Sequence, residues 1–311
     1  MLRDRWGRPV NNLRISVTPE CNYSCFFCHR EGYRPTDRTM TPEEIGRIVR
    51  ILVKHDVKTV KITGGEPLLR KDIVEVVRSI KMAGAEEVSM VTNGYWLPEL
   101  AKDLKRAGLD RVNISVHSID RDVYEFITGV DGLERGIEAI KAAKEAGLEP
   151  VKVDMVVLRG VNSDNLWEVI RFFSKLGVQL QLIELLYTDK RLFDRYYYSL
   201  EGLERELRSR AVKVERRELH GRLRYHLPEG GVVEVVRNVN NASFCMNCTR
   251  IRITHDGYFK TCLLRDDDKV DFLSAMRRGA SDEELEEIFK RVVMLREPFY
   301  KPVEEVIDSN V

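Results

Sequence analysis

The sequence predicts an α/β protein: a partial, open (β/α)6 barrel over residues 1–195, then a smaller C-terminal α+β domain over 196–311 that carries a second cysteine cluster. Three observations point there. Six short runs rich in β-branched residues, at 13–18, 59–63, 87–92, 111–116, 151–158 and 179–184, read as buried parallel strands. Longer stretches with helical apolar spacing separate them. After residue 190 the alternation stops. Repeated βα units imply a parallel sheet with right-handed crossovers. Six are fewer than the eight of a closed barrel, so the sheet should stay open and work from the C-terminal ends of its strands.

The helices mark their own ends. Thr41 precedes Pro42-Glu43-Glu44, an N-cap followed by proline and first-turn acids. Ile45, Ile48, Ile51 and Leu52 then share one face. Residues 72–83 repeat the spacing through Ile73, Val76, Val77 and Ile80, with Gly84 as the stop. Stretches 97–107, 133–146 and 163–176 close on Gly108, Gly147 and Gly177. Further on, 200–210 reads as a short helix and 282–295 as a last one. Between them, 219–227 and 231–238 form a hairpin about Pro228-Glu229-Gly230. This smaller part should close the open side of the barrel.

Composition excludes several functions. The 311 residues are 43% apolar with a formal net charge of +1, so no global field attracts nucleic acid or an anionic membrane. No apolar run approaches the roughly 18–20 residues of a bilayer span. Met1-Leu-Arg-Asp-Arg-Trp-Gly-Arg8 lacks the apolar core of a signal peptide, so a cytoplasmic location is expected. Charged residues make up 32% and glutamine occurs only at Gln179 and Gln181, which leans toward a heat-adapted source.

The six cysteines form two groups of three, within 21–28 and 245–262. Disulfides suit short exported chains; clustered thiols in a long chain without an export signal favour metal. The first group reads Thr18-Pro-Glu-Cys21-Asn-Tyr-Ser-Cys25-Phe-Phe-Cys28-His29. One loop after the first strand thus supplies three thiolates at the face where chemistry is expected. A [4Fe–4S] cube has four iron corners, so three cysteines leave one iron open to chelate a small molecule. Zinc completed by His29 is the alternative, although His29 adjoins Cys28, which is awkward for one tetrahedral centre. Cys245-Met-Asn-Cys248 and Cys262 again give three thiolates. Zinc with His255 as fourth ligand is one reading of these. A second cube whose open iron binds substrate is the other.

A C-x3-C-x2-C loop after the first strand of a βα barrel resembles the radical S-adenosylmethionine (SAM) superfamily. Gly64-Gly65-Glu66-Pro67 after the second strand matches its GGEP motif, and Phe27 its aromatic position between the second and third cysteines. Together with the C-x2-C-x13-C group, the pattern resembles the GTP 3′,8-cyclases of molybdenum cofactor biosynthesis. The likeness covers nearly the whole chain. It runs through Asn12-Leu-Arg14-Ile-Ser-Val-Thr18, Ile62-Thr-Gly-Gly-Glu-Pro-Leu-Leu-Arg70, Val91-Thr-Asn-Gly94, Phe126-Ile-Thr-Gly129, Gly160-Val-Asn162 and Phe244-Cys-Met-Asn-Cys-Thr-Arg-Ile-Arg252.

The resemblance implies two [4Fe–4S] clusters, on Cys21, Cys25 and Cys28 and on Cys245, Cys248 and Cys262, with no catalytic side chain beyond them. It implies SAM on the open iron of the first, near Phe27, Gly65, Glu66 and Ser115. It implies GTP held by Arg14, Lys61, Thr92, Lys152, Arg250 and Arg252. The expected reaction is reductive cleavage of SAM to a 5′-deoxyadenosyl radical, removal of the ribose 3′-hydrogen and C3′–C8 closure to 3′,8-cyclo-7,8-dihydro-GTP. Implied partners are an electron donor and the downstream cyclic pyranopterin monophosphate synthase, and a homodimer stays open. Lys61 and Lys152 also stand out on physical grounds, because a charge within a buried strand needs a partner.

Three departures from the family pattern are visible. The chain ends Ile307-Asp-Ser-Asn-Val311 where the family usually ends in Gly-Gly; Gln181-Leu-Ile-Glu184 lacks the arginine common in strand six; Ser115-Val-His117 replaces Ser-Leu-Asp. One rival is a radical SAM enzyme modifying a peptide or tetrapyrrole, whose extensions typically carry more cysteines. The other is a zinc-stabilised binding protein, which iron content tells apart.

Overall fold

The structure, a computed structural model, describes residues 1–30 and 36–302. The expectation about the chain's end falls on 303–311 and lies outside the described residues. Among the described residues no helix is long and apolar enough to cross a membrane.

The six expected strands form: β1 (Asn12–Ser16), β2 (Thr59–Thr63), β3 (Glu87–Thr92), β4 (Arg111–Ser115), β5 (Lys152–Val157) and β6 (Gln179–Glu184). They pair in that order and all in parallel. The crossovers carry α1 (Pro42–Val53), α2 (Ile73–Met82), α3 (Leu97–Ala107), α4 (Arg121–Thr128), α5 (Leu133–Glu145) and α6 (Leu166–Lys175). The cap foreseen at α1 is reciprocal: the Thr41 hydroxyl accepts the Glu44 N–H, and the Glu44 carboxylate accepts the Thr41 N–H.

Strand alternation sorts the two faces of the sheet. Leu13 and Ile15 of β1, Val60 and Ile62 of β2, and Val153 and Met155 of β5 pack in the core under the helices. Arg14, Lys61, Asn113, Lys152, Asp154 and Gln181 line the other face. The inside of this open barrel is therefore polar, where a closed eight-stranded barrel is filled by apolar layers.

The C-terminal segment lengthens the sheet at both edges. It contributes α7 (Lys190–Tyr196), α8 (Glu201–Arg210), β7 (Lys213–Arg216), β8 (Leu223–His226), β9 (Val232–Val236) and the short α9 (Ala242–Met246). After these come β10 (Arg250–Ile253), β11 (Tyr258–Lys260), β12 (Val270–Asp271), α10 (Leu273–Arg277) and α11 (Asp282–Met294). β9 joins β6 in parallel, and β10 joins β1 in parallel. The strand order is β12-β11-β10-β1-β2-β3-β4-β5-β6-β9-β8-β7. Both edges that six units leave unpaired are thus satisfied by later strands. α11 lies against α1, tied by Lys54–Glu286 at 2.6 Å and Arg47–Asp282 at 2.8 Å.

The expected hairpin is β8–β9, but its first strand begins at Leu223. Leu219–Gly221 is instead a tight turn, with His220 (φ 63°) and Gly221 (φ 61°) both left-handed. Strands β10 to β12 were not foreseen, since two to four residues carry too little alternation to read.

Candidate active site

The loops after β1, β2 and β3 are stitched together. Gly65 N–H donates to Thr18 C=O at 2.8 Å and Glu66 N–H to Glu20 C=O at 2.6 Å. The Glu66 carboxylate is buried and accepts from the Thr92 hydroxyl (2.7 Å), Asn93 N–H (2.7 Å) and Leu68 N–H (3.0 Å). Burial pushes its pKa up to about 7, with those donors pulling the other way. Asn93 in turn donates its amide to Asn22, between the first two cysteines, at 2.8 Å. The glycines of Gly64-Gly65 thus serve a close approach of backbone to backbone. A Cβ on Gly65 would stand 2.0 Å from Glu20 C=O.

Cys21, Cys25 and Cys28 are unpaired thiols at the head of this assembly. Backbone N–H groups of Tyr23 and Arg30 reach the Cys21 and Cys28 sulfurs, each at 3.4 Å. Burial, with Cys28 and Cys21 adding to it, pushes the Cys25 thiol up to about 12. Such a thiol ionises only when a metal displaces its proton. Among the described residues no three His, Cys, Asp or Glu side chains converge on a single-ion site. A four-iron cube takes its thiolates at separate corners and does not need them gathered about one ion. Three thiols from one loop, with amides aimed at two sulfurs, fit that larger group.

The second group is assembled by two elements. α9, capped by Asn241 accepting the Phe244 N–H, carries Cys245. The β10–β11 turn brings Cys262 back, so that Cys248 and Cys245 both bear on its ionisation after burial and Arg252. Burial lowers the His255 pKa, against the neighbouring Asp256 carboxylate. Behind the loop is a buried triad. Arg8 donates to Cys245 C=O at 2.9 Å, Arg296 donates to Cys248 C=O at 2.7 Å, and Asp4 pairs with both at 2.8 and 3.2 Å. Arg296→Met leaves these acceptors short of donors and is expected to cost about 3 kcal/mol. A thermal melt of the full chain checks it, and an unchanged midpoint would mean the triad is idle.

One cavity of about 1090 Å³ connects the two groups: Phe27 and His29 line it from the first loop, and Cys245, Cys248 and Cys262 from the second. Arg14, Lys61, Lys152, Arg250 and Arg252 all line it, so the sequence-predicted cations do meet. Pairing in register sets Arg14 beside Arg252 and Lys61. Burial, then Arg14 and Arg252, holds Arg250 well below the usual guanidinium range. Lys61 donates to Asn113 at 2.9 Å, which donates on to Asp154 at 2.9 Å. Lys152 pairs with Glu234 at 3.1 Å, and burial lowers its pKa to about 7 against that pairing. Both buried lysines have the partners their positions demand.

Thr92, expected among the nucleotide contacts, shares strand parity with Val88 and Met90, on the helix side, and its hydroxyl donates to Glu66. Ser115 has cavity-side parity and is half-buried, level with Asp154. Phe27 packs edge-on against His117 at 5.0 Å. His117, one of the departures from the family pattern, is kept neutral by burial, with a pKa of about 4, and its Nδ1 accepts the Val156 N–H. Asn113, Asp154, Gln181, His220 and Arg222 also line the cavity. For Asp154, the two-residue period from Lys152 was the signal that could have found it.

Comparison with known proteins agrees with this geometry. Residues 15–173 match the model of the radical SAM superfamily, and 178–302 match that described as Molybdenum Cofactor Synthesis C. A protein of Thermococcus kodakarensis named "Probable GTP 3′,8-cyclase" is 53% identical, over 97% of this chain and 100% of its own length. Relatives of the same name in Pyrococcus abyssi and Methanocaldococcus jannaschii are 52% and 42% identical, each over 96% of this chain and 100% and 99% of their own lengths. In fold, the crystal structure of Streptococcus suis SuiB bound to S-adenosylmethionine superposes with a TM-score of 0.65 at 16% identity. It covers 94% of this chain, which spans 65% of that structure. The chain therefore belongs to the radical SAM superfamily and, within it, to the GTP 3′,8-cyclases.

Proposed function

We propose that the chain converts GTP to 3′,8-cyclo-7,8-dihydro-GTP. The observation that carries this reading is one cation-lined cavity with Cys245, Cys248 and Cys262 in its wall and Phe27 and His29, from the loop of the other three thiols, lining it too. Cys21, Cys25 and Cys28 would hold a first [4Fe–4S] cluster and Cys245, Cys248 and Cys262 a second. When bound and reduced, the first cluster with SAM supplies the 5′-deoxyadenosyl radical that takes the ribose 3′-hydrogen. The residues of the chain orient and shield. Phe27, the Gly65–Glu66 backbone and Ser115 would flank SAM, with the Glu66 carboxylate acting indirectly by fixing the Asn93 turn. Arg14, Lys61, Lys152, Arg250 and Arg252 would neutralise the triphosphate. The division of labour falls between residues 1–195, for radical generation, and 196–311, for the second cluster and substrate. An electron donor and a cyclic pyranopterin monophosphate synthase would be the partners, in the cytoplasm.

The test is anaerobic turnover of reconstituted protein with SAM, reductant and GTP, read by mass spectrometry. 5′-Deoxyadenosine together with an isomer of GTP supports the reading. Deoxyadenosine without the isomer overturns the substrate and leaves the superfamily. Cys248→Ala is expected to keep SAM cleavage and lose the cyclised nucleotide; survival of cyclisation would make the second cluster structural.

A further inference from the structure

The tip of the β7–β8 hairpin enters the cavity with Arg217, His220 and Arg222 on its lining. The tip is held firmly. His220 stacks on Phe244 with ring centroids 3.8 Å apart and planes 17° apart, and its N–H donates to Asn247 C=O at 2.7 Å. Gly221, left-handed, lies close against the Arg216 guanidinium, where a Cβ would be 3.0 Å from Nη2. Arg222 is thereby fixed over Gln181, donating to its side-chain oxygen at 3.2 Å, and pairs with Glu234 at 3.0 Å.

Charge does not balance here. Glu234 is one buried carboxylate facing four cations within 3.4 Å: Lys152, Arg217, Arg222 and Arg224. Burial alone would raise its pKa; Arg222, Lys152 and Arg217 together hold it well below the usual range. Arg222 and Arg217 also join Arg250 and Arg252 in depressing His220, after burial. The Arg222 Nε–H is shut off from solvent and donates to no group among the described residues. A buried surplus of fixed guanidinium groups with a spare donor is an anion site awaiting its anion.

We propose that Arg222, supported by Arg217, binds the phosphate chain of the nucleotide from the hairpin tip, as a contact additional to the sheet cations. This rests on the cyclase reading and deepens it. Arg222→Gln should fold, because Glu234 keeps Lys152, Arg217 and Arg224.

The test is calorimetric titration of the reconstituted full chain with GTP, guanosine and inorganic tripolyphosphate. Arg222→Gln is expected to bind GTP and tripolyphosphate roughly 10- to 100-fold more weakly, with guanosine binding and the thermal midpoint unchanged. Arg222→Lys should fall between, having charge without the fork. Wild-type affinity for both phosphate ligands in Arg222→Gln, or an equal loss of guanosine, overturns the proposal. Wild-type protein that binds tripolyphosphate but not GTP sinks the cyclase reading, and tripolyphosphate alone then decides on Arg222. Wild-type protein that binds neither overturns both.

Discussion

Cys25→Ala is expected to abolish 5′-deoxyadenosine formation and to remove about four irons per chain, those of one cube. Cys25 is the middle thiol of its loop and packs partly against the core. The N–H groups on either side, from Ser24 and Phe26, donate to Thr128 and Ile127 of α4 at 2.9 and 3.2 Å. The backbone around the substitution therefore keeps its place, and the lost thiolate is the change that matters. With two ligands left, the cube has two uncoordinated corners, one too many for SAM to fill. Iron analysis and product chromatography on anaerobically reconstituted protein check this. Near-normal deoxyadenosine from the variant would overturn the assignment of the first cluster. Full iron on the proposed second cluster in the same sample shows that the chain still folds.

Much of this was legible in the sequence because the period of a strand is local. Arg14, Lys61 and Lys152 each interrupt an apolar run, and each proves to face inward. The spacing of each cysteine group was likewise local, and so were the cap at Thr41 and the stop at Gly108. What stayed hidden depends on positions distant in the chain. That β10 would close on β1, setting Arg252 beside Arg14, follows from no local pattern. Nor does the reach of the 216–222 turn into the cavity. The partner of Thr92 was likewise out of reach: it adjoins a loop at the functional face, and its hydroxyl donates to Glu66.

Gly65→Ala is expected to lower stability by about 3 kcal/mol and the thermal midpoint by roughly 5–10 °C. Freedom of φ is not the issue at this glycine, which is not left-handed. Space is. The added carbon would lie 2.0 Å from Glu20 O, 2.4 Å from Glu20 C and 2.7 Å from Pro19 O. These are backbone atoms of the cysteine loop and cannot rotate aside as a side chain would. The loop must shift as a unit. That strains the Gly65-to-Thr18 and Glu66-to-Glu20 hydrogen bonds, and with them the position of Cys21. First-cluster iron should fall while the proposed second cluster, whose cysteines lie on and just after α9 and just past β11, keeps its own. Gly202→Ala is the control: nothing lies within 4 Å of its added carbon, and its helical setting favours alanine. If Gly65→Ala melts with Gly202→Ala and holds its full iron, the two loops are not locked in the way the distances require.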